Sequence, residues 1–199
     1  MNHKTISHAF LESRLNSTSS AVDMTCGNGH DTEFLATICR DVLAIDIQKE
    51  AIKNTQQRCQ VFKNIEYLHM DHSQVSFKKR YDAYMYNLGY LPHSDKTIIT
   101  HASTTLTSLK KIIANKPKYL SIACYRGHEG GNDEYQAIID FLDALEIQYI
   151  TLAYQRSMSP ITLLIDFVNP SSSTILVDEL RHLPQTQAHS ILKSKLQLI

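Results

Sequence analysis

Short strand-forming runs alternate with amphipathic helical stretches along most of the chain. This alternation is typical of βαβ units, whose right-handed crossovers build a mostly parallel sheet with helices packed against it. The predicted strands are 21–24, 41–45, 65–69, 81–86, 119–124, 148–153 and 161–168, with residues 174–177 open to forming a further short strand. The predicted helices are 31–39, 48–58, a long helix that Ser94 caps and that ends near Ile113, 133–145, and 185–198.

The strands 148–153 and 161–168 are separated by too few residues for a helix, so they predict an antiparallel hairpin at one edge of the sheet. The predicted fold class is α/β, Rossmann-like and doubly wound, with a mostly parallel seven-stranded sheet and an antiparallel edge strand. The length suits one domain of residues 1–199. Weaker patterning from about residue 171 predicts a C-terminal extension of that domain.

Charge and composition exclude several classes of protein. The chain has 20 basic and 20 acidic residues, so nothing in its net charge points to nucleic acid. The basic groups 78–80 and 110–118 could share one face, although solvated charges at helix ends explain each group more simply. No run approaches the roughly 20 apolar residues of a membrane span, and residues 1–15 lack the pattern of a secretion signal. Four scattered cysteines predict neither disulfides nor a zinc knuckle, which is typical of a cytoplasmic protein without membrane attachment.

A glycine loop, residues 23–29 (Asp-Met-Thr-Cys-Gly-Asn-Gly), follows the first predicted strand. Gly27 and Gly29 permit a positive φ and a close approach between backbone and ligand. The third glycine of the dinucleotide fingerprint is missing, and Asp23 suits the ammonium of an amino-acid ligand better than a pyrophosphate. Asp31 and Thr32 are predicted to cap the helix that follows.

Two more carboxylates close the next two strands. Asp46 is placed to accept hydrogen bonds from ribose hydroxyls, and Asp71, with His72 beside it, is placed to bind an adenine amino group. One aspartate at a strand end is usually a turn or helix cap. Three at successive strand ends, with a glycine loop after the first, predict S-adenosylmethionine as the ligand.

The fourth predicted strand runs into Asn87-Leu88-Gly89-Tyr90, which is expected to face the reactive methyl group. The amide oxygen of Asn87 and the carbonyl of Leu88 could accept hydrogen bonds from an amine. Tyr90, or Tyr86 as the weaker choice, could stack on a flat substrate such as a base. A strand-ending turn with a packed aromatic residue explains the same spacing equally well.

The loop after the fifth strand, residues 125–132, is rich in glycine and polar residues at the same end of the sheet. Arg126 could hold a phosphate, while His128 or Glu129 could orient the substrate or act as a base. The pair His128-Glu129 occurs in zinc motifs, but no second histidine follows on the next helical turn, so no metal is predicted. His30 is interpreted as a scaffold residue, and the remaining histidines as surface or capping residues, namely His3, His8, His69, His93 and His101.

The strings DMTCGNGHDTEFLA, YNLGYLPHSDK and YRGHEGGNDE resemble a family of bacterial proteins described as rRNA methylases, from about Ser19 to Val168. Members of that family are associated with methylating 5-aminomethyl-2-thiouridine at the tRNA wobble position. The resemblance implies a class I methyltransferase fold, S-adenosylmethionine as cofactor, and the anticodon region of tRNA as partner. A homodimer is a further partner expectation. This chain continues past the point where similar members end, and the role of that extension is open.

The resemblance also implies roles for individual residues. Asn87, Tyr90, His128 and Glu129 are expected to be catalytic, and Leu88, Gly89, Tyr90 and Arg126 to bind the substrate. The residues expected to bind the cofactor are Asp23, Thr25, Gly27, Asn28, Gly29, Asp31, Asp46, Gln48, Asp71, His72 and Asn87.

Three alternatives compete with this interpretation. A methyltransferase acting on rRNA or a small amine would share the cofactor site and differ in its acceptor. A nicotinamide-binding Rossmann oxidoreductase belongs to a different class, and the missing third glycine speaks against it. A binding protein without catalysis is disfavoured by the intact segment 87–92.

Overall fold

One eight-stranded sheet organises the computed structural model, which describes residues 3–89, 100–154, 159–180 and 183–197. The strands are β1 (Ser20–Asp23), β2 (Asp41–Asp46), β3 (Ile65–His69), β4 (Ala83–Leu88), β5 (Tyr119–Cys124), β6 (Ile150–Ala153), β7 (Ile161–Asp166) and β8 (Ser173–Leu176). The helices are α1 (His3–Glu12), α2 (His30–Ile38), α3 (Lys49–Arg58), α4 (Ala102–Ala114), α5 (Gly131–Ala144) and α6 (Gln185–Gln197). Short 3₁₀ turns lie at His72–Gln74 and Asp178–Leu180.

The strand order is β3-β2-β1-β4-β5-β7-β6-β8. Strands β1 to β5 are parallel, β7 is antiparallel to both of its neighbours, and β8 is parallel to β6. The Rossmann-like, mostly parallel fold class is therefore confirmed. The parallel strands end together at one side of the sheet, which we call the carboxyl edge.

Two details of the predicted sheet are wrong. The sheet has eight strands instead of seven, because residues 173–176 pair with β6 and form β8. The antiparallel strand is also not at the edge: β7 lies between β5 and β6. Burial explains this position, since all six residues of β7 are buried, while the burial of β6 alternates along the strand.

The core lies on both faces of the sheet. One face packs against α1, α2 and α6, and the other packs against α4 and α5. Helix α1 was not predicted from the sequence. It buries Ile6 and Phe10 in the core on the first of these two faces. Val177 and Leu192, from the segment predicted as a C-terminal extension, pack in the same part of the core, so this segment contributes to the core beside α1.

A partly buried ion pair reinforces the position of α1. Arg14, just after the helix, donates from Nε to Oδ2 of Asp166 on β7 at 2.8 Å, and its Nη2 also donates to the carbonyl of Leu196. Ser7 bonds Ser121 of β5 through their hydroxyl groups at 2.8 Å. The N-terminal helix is thus held by contacts with β5, β7 and α6.

Several predicted boundaries shift by a few residues. Strand β4 runs over 83–88 instead of 81–86, and α5 begins at Gly131 instead of residue 133. Helix α4 begins at Ala102, after the extended residue His101, so the prediction that Ser94 caps this helix is wrong; Ser94 itself lies outside the described residues.

Gly29 and Gly130 are matched positions for testing how closely two helices must approach. Each glycine directly precedes a helix and has a positive φ, which is 79° at Gly29 and 74° at Gly130. A Cβ on Gly29 would lie 2.8 Å from Cα of Thr55 on α3, whereas nothing lies within 4 Å of a Cβ on Gly130. Gly130→Ala should therefore cost about 1 kcal/mol of strain, and Gly29→Ala roughly 2 kcal/mol more because α2 and α3 must separate. Urea unfolding of both variants measures this difference, and equal losses of stability would contradict it.

Candidate active site

Asp23, at the end of β1, is completely buried and holds the start of the glycine loop. Its carboxylate accepts hydrogen bonds from the backbone amide of Thr25 and, at 2.6 Å, from the hydroxyl of Thr32. Burial, and then the neighbouring charge of Asp31, raise the pKa of Asp23 to about 7. Burial therefore disfavours the ionised form of Asp23, and a positive charge close to the loop would favour it.

The predicted helix caps at Asp31 and Thr32 are wrong. The residue before α2 is Gly29, which makes no side-chain capping bond, and the Thr32 hydroxyl binds Asp23 instead. Asp31 binds side chains from two other elements, because its carboxylate lies within reach of α1 and β4.

Asp46, at the end of β2, fixes the middle of the glycine loop. Its Oδ2 accepts the amide of Gly27 at 3.0 Å, and its Oδ1 accepts the amide of Gln48 at 2.9 Å. A carboxylate has about four acceptor positions, so these bonds leave capacity for two further donors. Burial raises the pKa of Asp46, which makes additional hydrogen-bond donors favourable for its charged form.

The glycine loop packs against α3. The side-chain oxygen of Asn28 accepts a hydrogen bond from Asn54, and the carbonyl of Gly27 accepts one from the hydroxyl of Thr55. The glycine at position 29 is required by the close contact with Thr55. The expected cofactor contacts of Asn28 and Gly29 stay predictions, while their observed contacts are with α3.

Two large apolar side chains that the sequence analysis did not select are exposed at the carboxyl edge. Ile47 follows Asp46 and is 54% exposed, and Met70 precedes Asp71 and is 38% exposed. The amide of Met70 donates to the carbonyl of Asp46 at 2.9 Å, so the two strand ends are adjacent. In the sequence, the signal that could have identified them is an apolar residue directly beside each strand-end carboxylate. Such a pair suits a flat apolar ring with polar substituents.

Asp71 and His72 follow β3. Oδ1 of Asp71 accepts the amide of Ser73 at 2.7 Å, which leaves Oδ2 for another donor. His72 is buried with its ring edge-on to Tyr86, and burial lowers its pKa. Tyr86 is fully buried and its hydroxyl bonds Ser108, so the prediction that Tyr86 could stack on a substrate is wrong.

Asn87 lies next to the glycine loop at the carboxyl edge. Its backbone amide donates to the hydroxyl of Thr25 at 2.8 Å, and its side-chain Nδ2 donates to Oδ2 of Asp31 at 2.6 Å. Its side-chain oxygen Oδ1 is buried and has no hydrogen-bond partner within the described residues. Buried carbonyl oxygens are normally paired, so this atom marks a place for a donor.

Leu88 and Gly89 follow Asn87 at the end of β4. The Leu88 side chain is buried in the core, and its carbonyl accepts the amide of Tyr125 at 3.4 Å. The carbonyl of Gly89 accepts the amide of Thr100 at 3.1 Å. Tyr90 lies outside the described residues, so its expected catalytic and stacking roles stay predictions.

The loop after β5 brings one predicted residue near Gly89. A Cβ on Gly89 would lie 3.6 Å from Nε2 of His128, whose Nδ1 bonds the carbonyl of Glu129. The Glu129 side chain is exposed. Arg126 lies over the ring of Tyr135, 5.5 Å from its centroid, and donates to a backbone carbonyl, so its own chain already holds it.

His8 is not the surface or capping residue that was predicted. It stacks on Phe34 with 3.8 Å between ring centroids, and its Nε2 lies 2.6 Å from Oδ1 of Asp31. The carboxylate accepts, so the imidazole donates. The N-terminal helix therefore reaches the carboxyl edge.

The basic groups contact their own chain. Lys79 pairs with Asp41 at 2.9 Å, and Lys118 pairs with Asp82 at 2.8 Å, both at the amino ends of strands and so opposite the site. Lys111 donates to the carbonyl of Ser73. These contacts favour the interpretation that the charges support the fold.

The described ranges contain neither a metal-binding cluster nor a membrane-spanning helix. There, no group of three or more histidine, cysteine, aspartate and glutamate side chains is arranged to hold a metal ion. None of the helices in those ranges combines the length and apolar character that crossing a bilayer requires.

Comparison with known proteins identifies relatives of this chain. A family described as "Putative rRNA methylase" matches residues 42–164. A protein named "tRNA (mnm(5)s(2)U34)-methyltransferase, chloroplastic" from Arabidopsis thaliana is 30% identical over 189 residues, covering 82% of this chain and 67% of that protein.

Solved structures show the same fold. A "putative methyltransferase" from Streptococcus mutans, in complex with SAH, is 31% identical with a TM-score of 0.71, over 80% of this chain and 94% of that one. A "putative rRNA-methylase" from Clostridium thermocellum is 27% identical with a TM-score of 0.78, over 83% of this chain and 97% of that one.

The buried charge of Asp23 predicts an unusual pH dependence of stability. Its pKa rises from 3.8 to about 7 on folding, so between these values the folded chain binds the proton more tightly than the unfolded chain. The contribution of Asp23 to the free energy of unfolding should therefore fall as pH rises from about 4 through about 7. Asp23→Asn should be more stable than the wild type at pH 8 and show less of this decline, as measured by urea unfolding without ligand.

Asp41→Asn is the matched control, because Arg40 and Lys79 lower the pKa of Asp41. That variant should lose stability at pH 8, or stay unchanged. A loss of stability at pH 8 in Asp23→Asn as well would contradict the buried-charge explanation.

Proposed function

The chain belongs to the rRNA methylase family, and we propose that it methylates the primary amine of 5-aminomethyl-2-thiouridine at the tRNA wobble position. The product would be the methylaminomethyl derivative. The chain is an S-adenosylmethionine-dependent methyltransferase, as its relatives indicate. The acceptor is the proposed part, and the name of the Arabidopsis relative supports it.

The residues at the carboxyl edge fit S-adenosylmethionine. Asp46 keeps acceptor capacity for the ribose hydroxyls, and Asp71 keeps an oxygen for the adenine amino group. The exposed side chains of Ile47 and Met70 offer apolar surface to the adenine ring. Because Asp23 is buried, we propose that it acts through its charge: the ionised carboxylate favours a positively charged ligand near the loop.

The observation that carries the proposed amine acceptor is the buried, unpaired Oδ1 of Asn87. Bound S-adenosylmethionine supplies a methyl group on a sulfonium, which is already a good leaving group. An amide oxygen is a very weak base, so it can orient an acceptor but cannot remove a proton from a hydroxyl or a carbon before attack. A neutral primary amine needs only orientation, because it already has a lone pair and two N–H donors.

Other residues have supporting roles in this proposal. The carbonyl of Leu88 is a second acceptor at the end of β4, and Tyr90 and Gly89 would line the acceptor pocket. The proton that leaves after transfer would pass to His128, Glu129 or water. Arg126 is proposed to approach the RNA, and the anticodon region of tRNA is the proposed partner. We also propose that the protein forms a homodimer and is located in the cytoplasm.

Two rivals differ in the acceptor. The family description names rRNA, and a small free amine would suit Asn87 equally well. A nicotinamide oxidoreductase is disfavoured, because the chain belongs to a methyltransferase family.

We expect the purified chain and labelled S-adenosylmethionine to methylate tRNA from cells that lack this modification. Digestion to nucleosides should place the label on the wobble nucleoside, because the proposed acceptor is its side-chain amine. Ribosomal RNA from the same cells is the parallel substrate. Label in rRNA alone, or in neither RNA, would exclude the proposed substrate.

Asn87 and Asp46 should differ in which step they affect. Asn87→Ala should lower kcat about 100-fold with little change in cofactor affinity, because it loses an atom that orients the acceptor. Asp46→Ala should instead weaken cofactor binding by about tenfold or more, because the cofactor loses a hydrogen bond to a charged group. Calorimetry with S-adenosylmethionine and steady-state rates separate the two effects. Equal losses of cofactor affinity would show that Asn87 is not in the acceptor pocket.

A further inference from the structure

Three side chains from separate elements form a continuous hydrogen-bonded chain behind the acceptor oxygen. His8 of α1 donates from Nε2 to Oδ1 of Asp31 at 2.6 Å. Oδ2 of Asp31, in the first turn of α2, accepts Nδ2 of Asn87 from β4 at 2.6 Å. Asn87 Oδ1, the atom assigned to the amine, lies at the end of this chain.

Asp31 decides which end of the Asn87 amide faces the substrate. The oxygen and nitrogen of an amide have nearly the same shape, so packing alone does not distinguish its two orientations. A carboxylate only accepts hydrogen bonds, so it attracts the NH₂ group and repels the oxygen. With Nδ2 against Asp31, Oδ1 must be directed away from the carboxylate.

His8 in turn holds Asp31. The Asp31 side chain is only 5% exposed, and a buried carboxylate requires donors that replace water. The His8 side chain is 21% exposed, and its ring lies flat on Phe34, with 8° between the two planes. This stacking fixes the direction of the Nε2–H bond, and the bond restricts rotation of the carboxylate.

Contacts other than that of His8 also hold α1. Arg14 pairs with Asp166, Ser7 bonds Ser121, and Phe10 is buried in the core. Removing the imidazole should therefore leave the helix in place. The geometry of His8 consequently requires an explanation other than docking of the helix.

We propose that His8 and Asp31 are positioning residues for methyl transfer, which keep the Asn87 oxygen directed at the acceptor amine. This inference rests on the proposed function, because it assigns the Asn87 oxygen to that amine. Neither residue needs to touch the substrate. Asp31, expected from the resemblance to bind the cofactor, is reassigned to the acceptor side of the site.

The test compares three variants by kcat, KM for undermodified tRNA, and affinity for S-adenosylmethionine. Asp31→Asn keeps the shape but offers an NH₂ group that can bond a reversed Asn87, so kcat should fall about 100-fold. His8→Ala should lower kcat on the order of tenfold, because Asp31 keeps its second partner. His8→Gln restores an N–H donor and should recover most of the lost rate, while cofactor affinity stays unchanged in all three.

His189→Ala is the matched control. His189 also bonds a carboxylate on α1, Glu12, at 2.9 Å, but on the exposed side that faces α6. Its kcat should equal that of the wild type. A loss in this variant as large as in His8→Ala would mean that α1 acts only through its packing, and would overturn the inference.

The remaining outcomes are equally decisive. An unchanged kcat in His8→Ala, or a loss explained entirely by weaker cofactor binding, overturns the positioning role but leaves the proposed function standing. If His8→Ala does not fold, the comparison of His8→Gln with Asp31→Asn decides, and equal rates overturn the inference. A wild-type chain that leaves the wobble amine unmethylated overturns the proposed function and this inference together.

Discussion

The site depends on two bonds that tie the glycine loop to the strands on either side. The amide of Gly27 donates to Asp46 on β2, and the hydroxyl of Thr25 accepts the amide of Asn87 on β4. One loop therefore sets the positions of both the carboxylate that we propose to bind the ribose and the amide that we propose to face the acceptor. Because the methyl group must lie between cofactor and acceptor, a loop attached to both strands fixes the relative position of the reacting atoms.

The N-terminal helix is part of this arrangement. Helix α1 is held to β7 by the partly buried Arg14–Asp166 pair, and it brings His8 to Asp31. The C-terminal extension packs beside α1 through α6, so both ends of the described chain support the same face of the sheet. Helix α6 thus shares the core with the helix that reaches the site.

The fold was largely predictable, because strand and helix periodicity and the crossover rule are local properties of the sequence. The sequence predicts the antiparallel hairpin of β6 and β7 but not which of its two strands pairs with β5, so the position of β7 inside the sheet could not be predicted. In the site, strand-end positions such as Asp46 and Asn87 were predictable from topology. The contacts of His8 were not, since His8 and Asp31 are 23 positions apart in the chain and no sequence pattern links them. The burial of Tyr86 could not be predicted either, because it depends on tertiary packing. Its ring lies in the core instead of the pocket.

The central claim is that the Asn87 oxygen holds the acceptor amine in line with the methyl donor. A crystal structure with S-adenosylhomocysteine and a 5-aminomethyl-2-thiouridine nucleoside would test it most directly. We expect the amine nitrogen about 2.7–3.2 Å from Oδ1 of Asn87, facing the cofactor sulfur, with Nδ2 still bonded to Asp31. An amine bound elsewhere, or an Asn87 amide turned with its nitrogen toward the nucleoside, would contradict the claim.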